Sequence, residues 1–274
     1  MTAIARALTR ATQALAATSD TPRLDAELLM AAALDIGRDR LILKPPAGDP
    51  PAAFAGMVER RAAGEPVAYI TGQRAFWTID LEVGPGVLIP RPDSETLIAA
   101  AVEHFAGTPG PRTVLDLGTG PGTLLLAALD EWPGAFGLGI DTSFDALDYA
   151  KRNAARLGLD QRATFANGDW ADGIRQRYDL ILCNPPYVAT DAAMGPGVAE
   201  YEPAAALFAG GDGLDDYRRL APQVGGLIEP GGLAAIEIGH DQGDRAAALF
   251  AAAGLITSLA RDLADRPRAL LIRG

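Results

Sequence analysis

Alanine and leucine recur at helical spacing from residue 3 to about residue 63, which predicts three or four short helices. Thr21-Pro22 gives the second of them a cap followed by proline in its first turn, and Pro45, Pro46, Pro50 and Pro51 punctuate the region. The period then changes. Over residues 76–83, Trp77, Ile79, Leu81 and Val83 alternate with Thr78, Asp80 and Glu82, a spacing of two that predicts a half-buried strand in a hairpin linker between two domains. Beyond Pro90-Arg91-Pro92 the spacing returns to helical, predicting a helix over 93–105 whose buried stripe is Leu97, Ile98, Ala101, Val102 and Phe105.

From residue 113 apolar runs at 113–117, 135–140, 163–166, 178–183 and 233–238 are separated by stretches of helical period, the alternation of a parallel sheet covered on both faces. Short runs at 255–259 and 269–272 predict a terminal hairpin. The fold class is therefore α/β, a doubly wound sheet of seven strands. A small helical domain (1–75) and a hairpin linker (76–90) precede the main domain (91–274).

Charge narrows the chemistry. With 24 Lys and Arg against 35 Asp and Glu, a net charge of -11, the chain lacks the cationic surface that holds nucleic acid by phosphate neutralisation. A protein or small-molecule substrate fits better. The one cysteine, Cys183, lies in the apolar run after Leu180, Ile181 and Leu182, which excludes an internal disulfide and a cysteine-rich metal site and implies a reducing compartment. Arg6 and Arg10 without acidic neighbours faintly suggest a transit peptide, but an ordinary first helix fits the pattern better. The apolar stretch 246–260 is shorter than the roughly 20 residues of a bilayer span and is broken by Gly254, so no membrane segment is expected.

Asp116-Leu117-Gly118-Thr119-Gly120-Pro121-Gly122 follows a predicted strand and precedes a predicted helix, where a glycine-rich turn lets a nucleotide-like cofactor lie against backbone N–H groups. Its spacing is not that of the dinucleotide fingerprint, and a tight strand-to-helix turn is the bland alternative. The next strand ends at Asp141, which can accept two hydrogen bonds from a ribose diol or can serve as the N-cap of the following helix. The third ends in Asn167-Gly168-Asp169-Trp170, a polar group and a flat indole suited to an adenine ring, although a lone tryptophan is more often core.

The fourth strand ends in Asn184-Pro185-Pro186-Tyr187. Two prolines hold this loop extended and remove two N–H donors, leaving carbonyl acceptors and one side-chain amide. Such a loop suits a planar NH2 substrate: the Asn184 side-chain oxygen and the Pro185 carbonyl can each accept one N–H while Tyr187 stacks nearby. His104, in a predicted surface helix, and His240, in a predicted loop, have no partner spacing that supports a role as base. Residues 188–212 carry Gly195, Pro196, Gly197, Gly210 and Gly211 and little predicted structure, which makes them a candidate lid or substrate-binding loop or a linker.

With these motifs in this order the chain resembles the release factor glutamine methyltransferase family. The likeness includes Pro22-Arg23-Leu24-Asp25-Ala26-Glu27-Leu28-Leu29, Glu65-Pro66-Val67-Ala68-Tyr69-Ile70-Thr71-Gly72, Pro85-Gly86-Val87-Leu88-Ile89-Pro90-Arg91-Pro92, Tyr178-Asp179-Leu180-Ile181 and Glu237-Ile238-Gly239 with Gln242. It implies a Rossmann-like methyltransferase sheet and S-adenosylmethionine as cofactor, with peptide-chain release factors as protein substrate. It also implies a monomer in the cytoplasm that binds neither nucleic acid nor membrane and holds no metal. Asp116, Gly118 to Gly122, Asp141, Asp169, Trp170 and Asn184 would then contact the cofactor, and Asn184 to Tyr187 the substrate glutamine, with Asn184, Pro185 and Tyr187 carrying the catalysis.

The chain departs from the family pattern at Asp93 and Ser94, where glutamate and threonine are usual, and at Ala209, where glycine is common. Two neighbouring activities share a similar loop: methylation of a ribosomal-protein glutamine and adenine N6 methylation of nucleic acid. The segment around Arg91 to Glu95 disfavours the first, and the acidic charge disfavours the second.

Overall fold

A computed structural model describes residues 2–195 and 197–274. Met1 and Pro196, the latter in the candidate lid, lie outside the described residues. The chain divides into two compact units, Met1–Gln73 with Met194–Glu202, and Arg74–Ala193 with Pro203–Gly274.

The first unit is helical: α1 (Ala3–Leu15), α2 (Pro22–Ala33), α3 (Arg38–Leu43), α4 (Ala53–Ala62) and α5 (Val67–Thr71). The Thr2 hydroxyl accepts the Ala5 N–H and opens α1, while Pro22 occupies the first turn of α2. Ile4, Leu8 and Leu15 of α1 pack with Leu29 and Met30 of α2 and Phe54 of α4, so the helical spacing of the sequence becomes one small core. Asp25 is buried but paired, accepting from Arg61 at 2.7 Å and from Ser19 at 2.8 Å.

In the second unit the alternating run 76–83 is not one strand. β1 (Gln73–Phe76) and β2 (Ile79–Glu82) form a two-stranded sheet, and the chain turns between them at Trp77, whose φ is 52°. A bulky residue rarely adopts that conformation. Trp77 is held in it by its backbone N–H donating to Glu95 at 3.0 Å and its indole N–H donating to Glu131 at 2.9 Å. The helix predicted over 93–105 begins as a 3₁₀ turn at Pro92–Ser94 and continues as α6 (Glu95–His104).

Strands and helices then alternate: β3 (Thr113–Leu117), α7 (Thr123–Glu131), β4 (Phe136–Asp141), α8 (Phe144–Leu157), β5 (Ala163–Asn167) and β6 (Tyr178–Cys183). After α9 (Val198–Tyr201), which belongs to the first unit, come α10 (Asp215–Val224), β7 (Ile228–Glu237), α11 (Gly243–Ala252), β8 (Thr257–Arg261) and β9 (Pro267–Arg273). The seven-stranded sheet has the order β5-β4-β3-β6-β7-β9-β8; the first five strands are parallel, and β9 and β8 close it antiparallel. Strand order reverses between β3 and β6, and in such sheets a crevice opens at the carboxyl ends on either side of the reversal. Leu115, Leu117, Ile181, Cys183, Tyr217 and Phe250 fill the core beneath it.

Residues 188–212 carry more order than their composition predicts. Val188 bridges Phe208 in parallel, and α9 and a 3₁₀ turn at Ala204–Ala206 lie between them. Among the described residues no helix is long and apolar enough to cross a membrane.

Candidate functional site

At the strand-order reversal the glycine-rich turn folds back on the sheet. Gly118 and Thr119 both donate their N–H groups to the Ile140 carbonyl at 2.9 Å, and Gly118, Gly120 and Gly122 all have positive φ, at 72°, 55° and 87°. Only glycine takes that conformation without strain. A Cβ on Gly120 would meet nothing within 4 Å, so the turn is open at that residue. The N–H groups of Gly118, Thr119 and Gly120 are nevertheless taken by Ile140 and Asp141, and the turn does not offer the free N–H groups that its sequence leads one to expect.

Asp116 lies beneath the turn, 1% exposed. Its Oδ2 accepts from the Thr119 hydroxyl at 2.7 Å and from the Leu125 N–H at 3.1 Å, whereas Oδ1 has no partner among the described residues. Burial pushes this carboxyl up to about 7, against the Thr119 and Leu125 hydrogen bonds that favour its charged form. Asp141 accepts the Gly120 N–H on one oxygen and the Ser143 N–H on the other, each at 2.8 Å, and burial raises its carboxyl as well. Ser143, not Asp141, caps α8, by accepting the Ala146 N–H at 3.2 Å. The geometry therefore removes the helix-cap alternative for Asp141.

A cavity of about 320 Å³ stands over these groups. Asp116, Gly118, Thr119, Gly120, Pro121, Asp141, Asp169, Trp170, Asn184 and Pro186 line it, and Gly122, Pro185 and Tyr187 do not. Gly122 is the left-handed residue that starts α7 against Leu126. Trp170 also has positive φ, at 49°; its indole N–H donates to Asp216 at 3.2 Å, and its ring edge lies 3.1 Å from where a Cβ on Gly118 would stand. Asp169 is paired with Arg219 at 2.5 Å.

Asn184 reaches the cavity with its side-chain N–H₂ already engaged, donating to the Ser94 hydroxyl at 3.1 Å. Its carbonyl edge is thus the one available as an acceptor. Tyr187 turns the other way. Its ring packs against the core and its hydroxyl donates to Glu237 Oε1 at 3.2 Å, while burial first and the Glu237 charge second raise its phenol well above the ordinary value. Glu237 is fully buried; burial pushes its carboxyl up to about 7 against the pull of the Ser94 hydroxyl, the Arg268 guanidinium and the Tyr187 hydroxyl.

Arg91, Ser94, Ser143, Asp216 and Arg219 also line the cavity, although the sequence pattern does not single them out for it. Ser94 and Arg91 stand beside Pro92, the helix-start signal, and that proximity is the cue available in the sequence. His104 contacts the Gly231 carbonyl at 3.0 Å and His240 is exposed; neither lines the cavity.

An unpartnered buried carboxylate oxygen, an open glycine backbone and a tryptophan together suit a cationic ligand of nucleoside type. The methionine-bearing sulfonium nucleoside that the resemblance implies has this character, and the residues fit it.

Two family models match the chain: a PrmC N-terminal domain over residues 6–72 and a methyltransferase domain over residues 111–211. The chain is 44% identical over 260 residues to a release factor glutamine methyltransferase of Rhodospirillum rubrum, covering 93% of this chain and 79% of that protein. It is 43% identical over 277 residues to one of Cereibacter sphaeroides, covering 98% of each. Among solved structures, a methyltransferase from Pyrococcus furiosus matches 80% of this chain and 98% of its own, with a TM-score of 0.55 at 16% identity, a likeness of fold alone.

Proposed function

This chain belongs to the release factor glutamine methyltransferase family, and on that premise we propose that it transfers a methyl group from S-adenosylmethionine to the side-chain amide nitrogen of the glutamine in the Gly-Gly-Gln motif of peptide-chain release factors. The observation that carries this reading is Asn184, with its N–H₂ edge bound to Ser94 and its carbonyl edge free to accept an N–H at the cavity.

When bound, S-adenosylmethionine supplies an activated methyl group on a sulfonium. The open face of Gly120 and the carboxylates of Asp116 and Asp141 would hold it, with Asp169 and Trp170 also lining the cavity. The protein's task is then alignment and exclusion of water. An amide nitrogen is a weak nucleophile because its lone pair is shared with the carbonyl. A hydrogen bond from one of its N–H groups to the Asn184 oxygen would orient it and raise its electron density as the new bond forms; Pro185, which does not line the cavity, is left out of this contact. Tyr187, anchored by Glu237, keeps the loop in shape.

The helical unit supplies the docking surface for the intact factor, and the reaction takes place in the cytoplasm, where release factors act. Incubating the protein with labelled S-adenosylmethionine and a purified release factor should label the factor, and replacing its Gly-Gly-Gln glutamine should abolish the label. Label that persists after that replacement, or that enters ribosomal protein or nucleic acid instead, refutes the assignment.

A further inference from the structure

We propose that Gln242 is a positioning residue for the methyl transfer: its side-chain amide clasps the main chain at Tyr187 and so fixes where the Asn184 carboxamide stands at the cavity. The inference rests on the reading of Asn184 as the acceptor for the substrate amide.

Gln242 is 6% exposed, and although its backbone opens α11 its side chain makes no cap there. Its Nε2 donates to the Tyr187 carbonyl at 2.9 Å and to the Gly213 carbonyl at 3.2 Å. Its Oε1 accepts the Gly239 N–H at 3.0 Å and shares the Tyr217 hydroxyl, at 3.3 Å, with the Glu237 carbonyl. A backbone N–H only donates and a backbone carbonyl only accepts, so these partners admit one orientation of the amide.

Tyr187 and Gly213 flank the segment 188–212 at its base. Inside them the outgoing and returning chains run side by side: Val188 donates its N–H to the Leu207 carbonyl, Ala209 to the Val188 carbonyl and Thr190 to the Gly210 carbonyl, each at 2.9 Å. Gln242 joins the two chains at the root. Gly213 has a φ of 70°, and a Cβ on it would stand 2.4 Å from the Tyr187 carbonyl oxygen and 2.8 Å from Gln242 Nε2. Glycine is what lets the three groups meet.

The other end of the loop is held by the sheet, since Asn184 directly follows Cys183, which lies in register with Leu117 on one side and Ile236 on the other. Between the two ends Pro185 and Pro186 have fixed φ, so Asn184 to Tyr187 is a stiff span. The Tyr187 hydroxyl, on Glu237, holds the ring, and Gln242 holds the main chain. Gln242 does not line the cavity and acts through this span. Releasing one end of a stiff span moves the whole of it, and a displacement of about 1 Å in a positioned group can cost on the order of 100-fold in rate.

Gln242→Met keeps the length of the side chain and removes both donors. Well below its thermal midpoint its kcat on a release factor should fall at least about 10-fold, while its affinity for S-adenosylmethionine stays within about 3-fold of the parent. Tyr217→Phe removes a hydroxyl from the Oε1 side and leaves both donors on Tyr187 and Gly213, so its kcat should stay within about 2-fold of the parent even where its thermal midpoint drops. A purely structural role would make the two variants lose rate together.

A readout independent of turnover comes from the three asparagines of the chain, Asn153, Asn167 and Asn184. In protein labelled with 15N-asparagine, the Asn184 side-chain signal should move in Gln242→Met and hold in Tyr217→Phe, with those of Asn153 and Asn167 unmoved in both. An Asn184 signal that stays in Gln242→Met, a kcat there within about 2-fold of the parent, or equal losses of kcat in the two variants overturns the inference. If the parent labels no release factor and yet the Asn184 signal moves as described, the functional reading fails and the positioning role stands. Should Gln242→Met not fold, Gly213→Ala, which crowds the same carbonyl from the other side, must give both the loss of kcat and the moved Asn184 signal, and the absence of either overturns the inference.

Discussion

Asn153, wholly buried in α8, donates to the Pro121 carbonyl of the glycine-rich turn at 2.9 Å. The same side chain accepts the Glu82 N–H at 2.7 Å and donates to the Glu82 carbonyl at 3.0 Å, so one amide ties the end of β2 to the loop that lines the cavity.

Asn153→Ala would leave a backbone N–H and two carbonyls without their partner. The variant should lose about 2–4 kcal/mol of unfolding free energy, read from urea denaturation, and should bind S-adenosylmethionine more weakly because the turn loses its support at Pro121. Unchanged stability would mean that water replaces the amide.

Asn184→Ala removes the acceptor edge and keeps the backbone of the loop, which Pro185 and Pro186 hold. Turnover on a release factor should fall about 100-fold or more, with the thermal midpoint near that of the parent. Activity within a few-fold of the parent in a folded variant would take Asn184 out of the reaction.

Asp116 has a carboxyl raised from 3.8 to about 7, chiefly by burial. Below about pH 4 the group is protonated in both states; as pH rises toward 7 the unfolded chain ionises it while the fold resists, so stability is lost across that window and stays lost above it. Asp116→Asn removes this dependence. Thermal melts should show the variant gaining stability relative to the parent between pH 4 and pH 8, and a difference that is flat with pH would count against the shifted carboxyl.

Gly118→Ala places a methyl 3.1 Å from the Trp170 ring at a φ of 72°, where an L-residue is strained by roughly 1–2 kcal/mol. Tryptophan fluorescence should shift, and affinity for S-adenosylmethionine should drop by about 10-fold, a loss comparable to that strain. Gly56→Ala, on a helix with nothing within 4 Å, is the control and should change neither.

Much of the fold is legible in local periodicity. The parallel strands are short apolar runs bounded by turn residues, and β3, β6 and the start of α2 fall where the spacing puts them because their neighbours in sequence already carry the information. Trp77 marks the limit. Its place in an alternating run points to a strand, whereas Glu95 and Glu131, far along the chain, hold it in a turn. Residues 188–212 show the same limit, since the Val188–Phe208 bridge joins positions 20 residues apart.

The sequence by itself determined the glycine-rich turn, Asp141, Trp170 and the Asn184 loop, each a contiguous motif whose backbone demands are written in glycine and proline. Only the tertiary structure decided what each side chain does: Ser143 takes the helix cap and leaves Asp141 to the turn, and Tyr187 leaves the cavity for Glu237, 50 residues on. Asn153 carries no local signature, and the motifs that include Ser94 and Glu237 do not say what either side chain touches. Hydrogen bonds join groups that are neighbours in space, and that neighbourhood exists only once β3, β6 and β7 lie side by side.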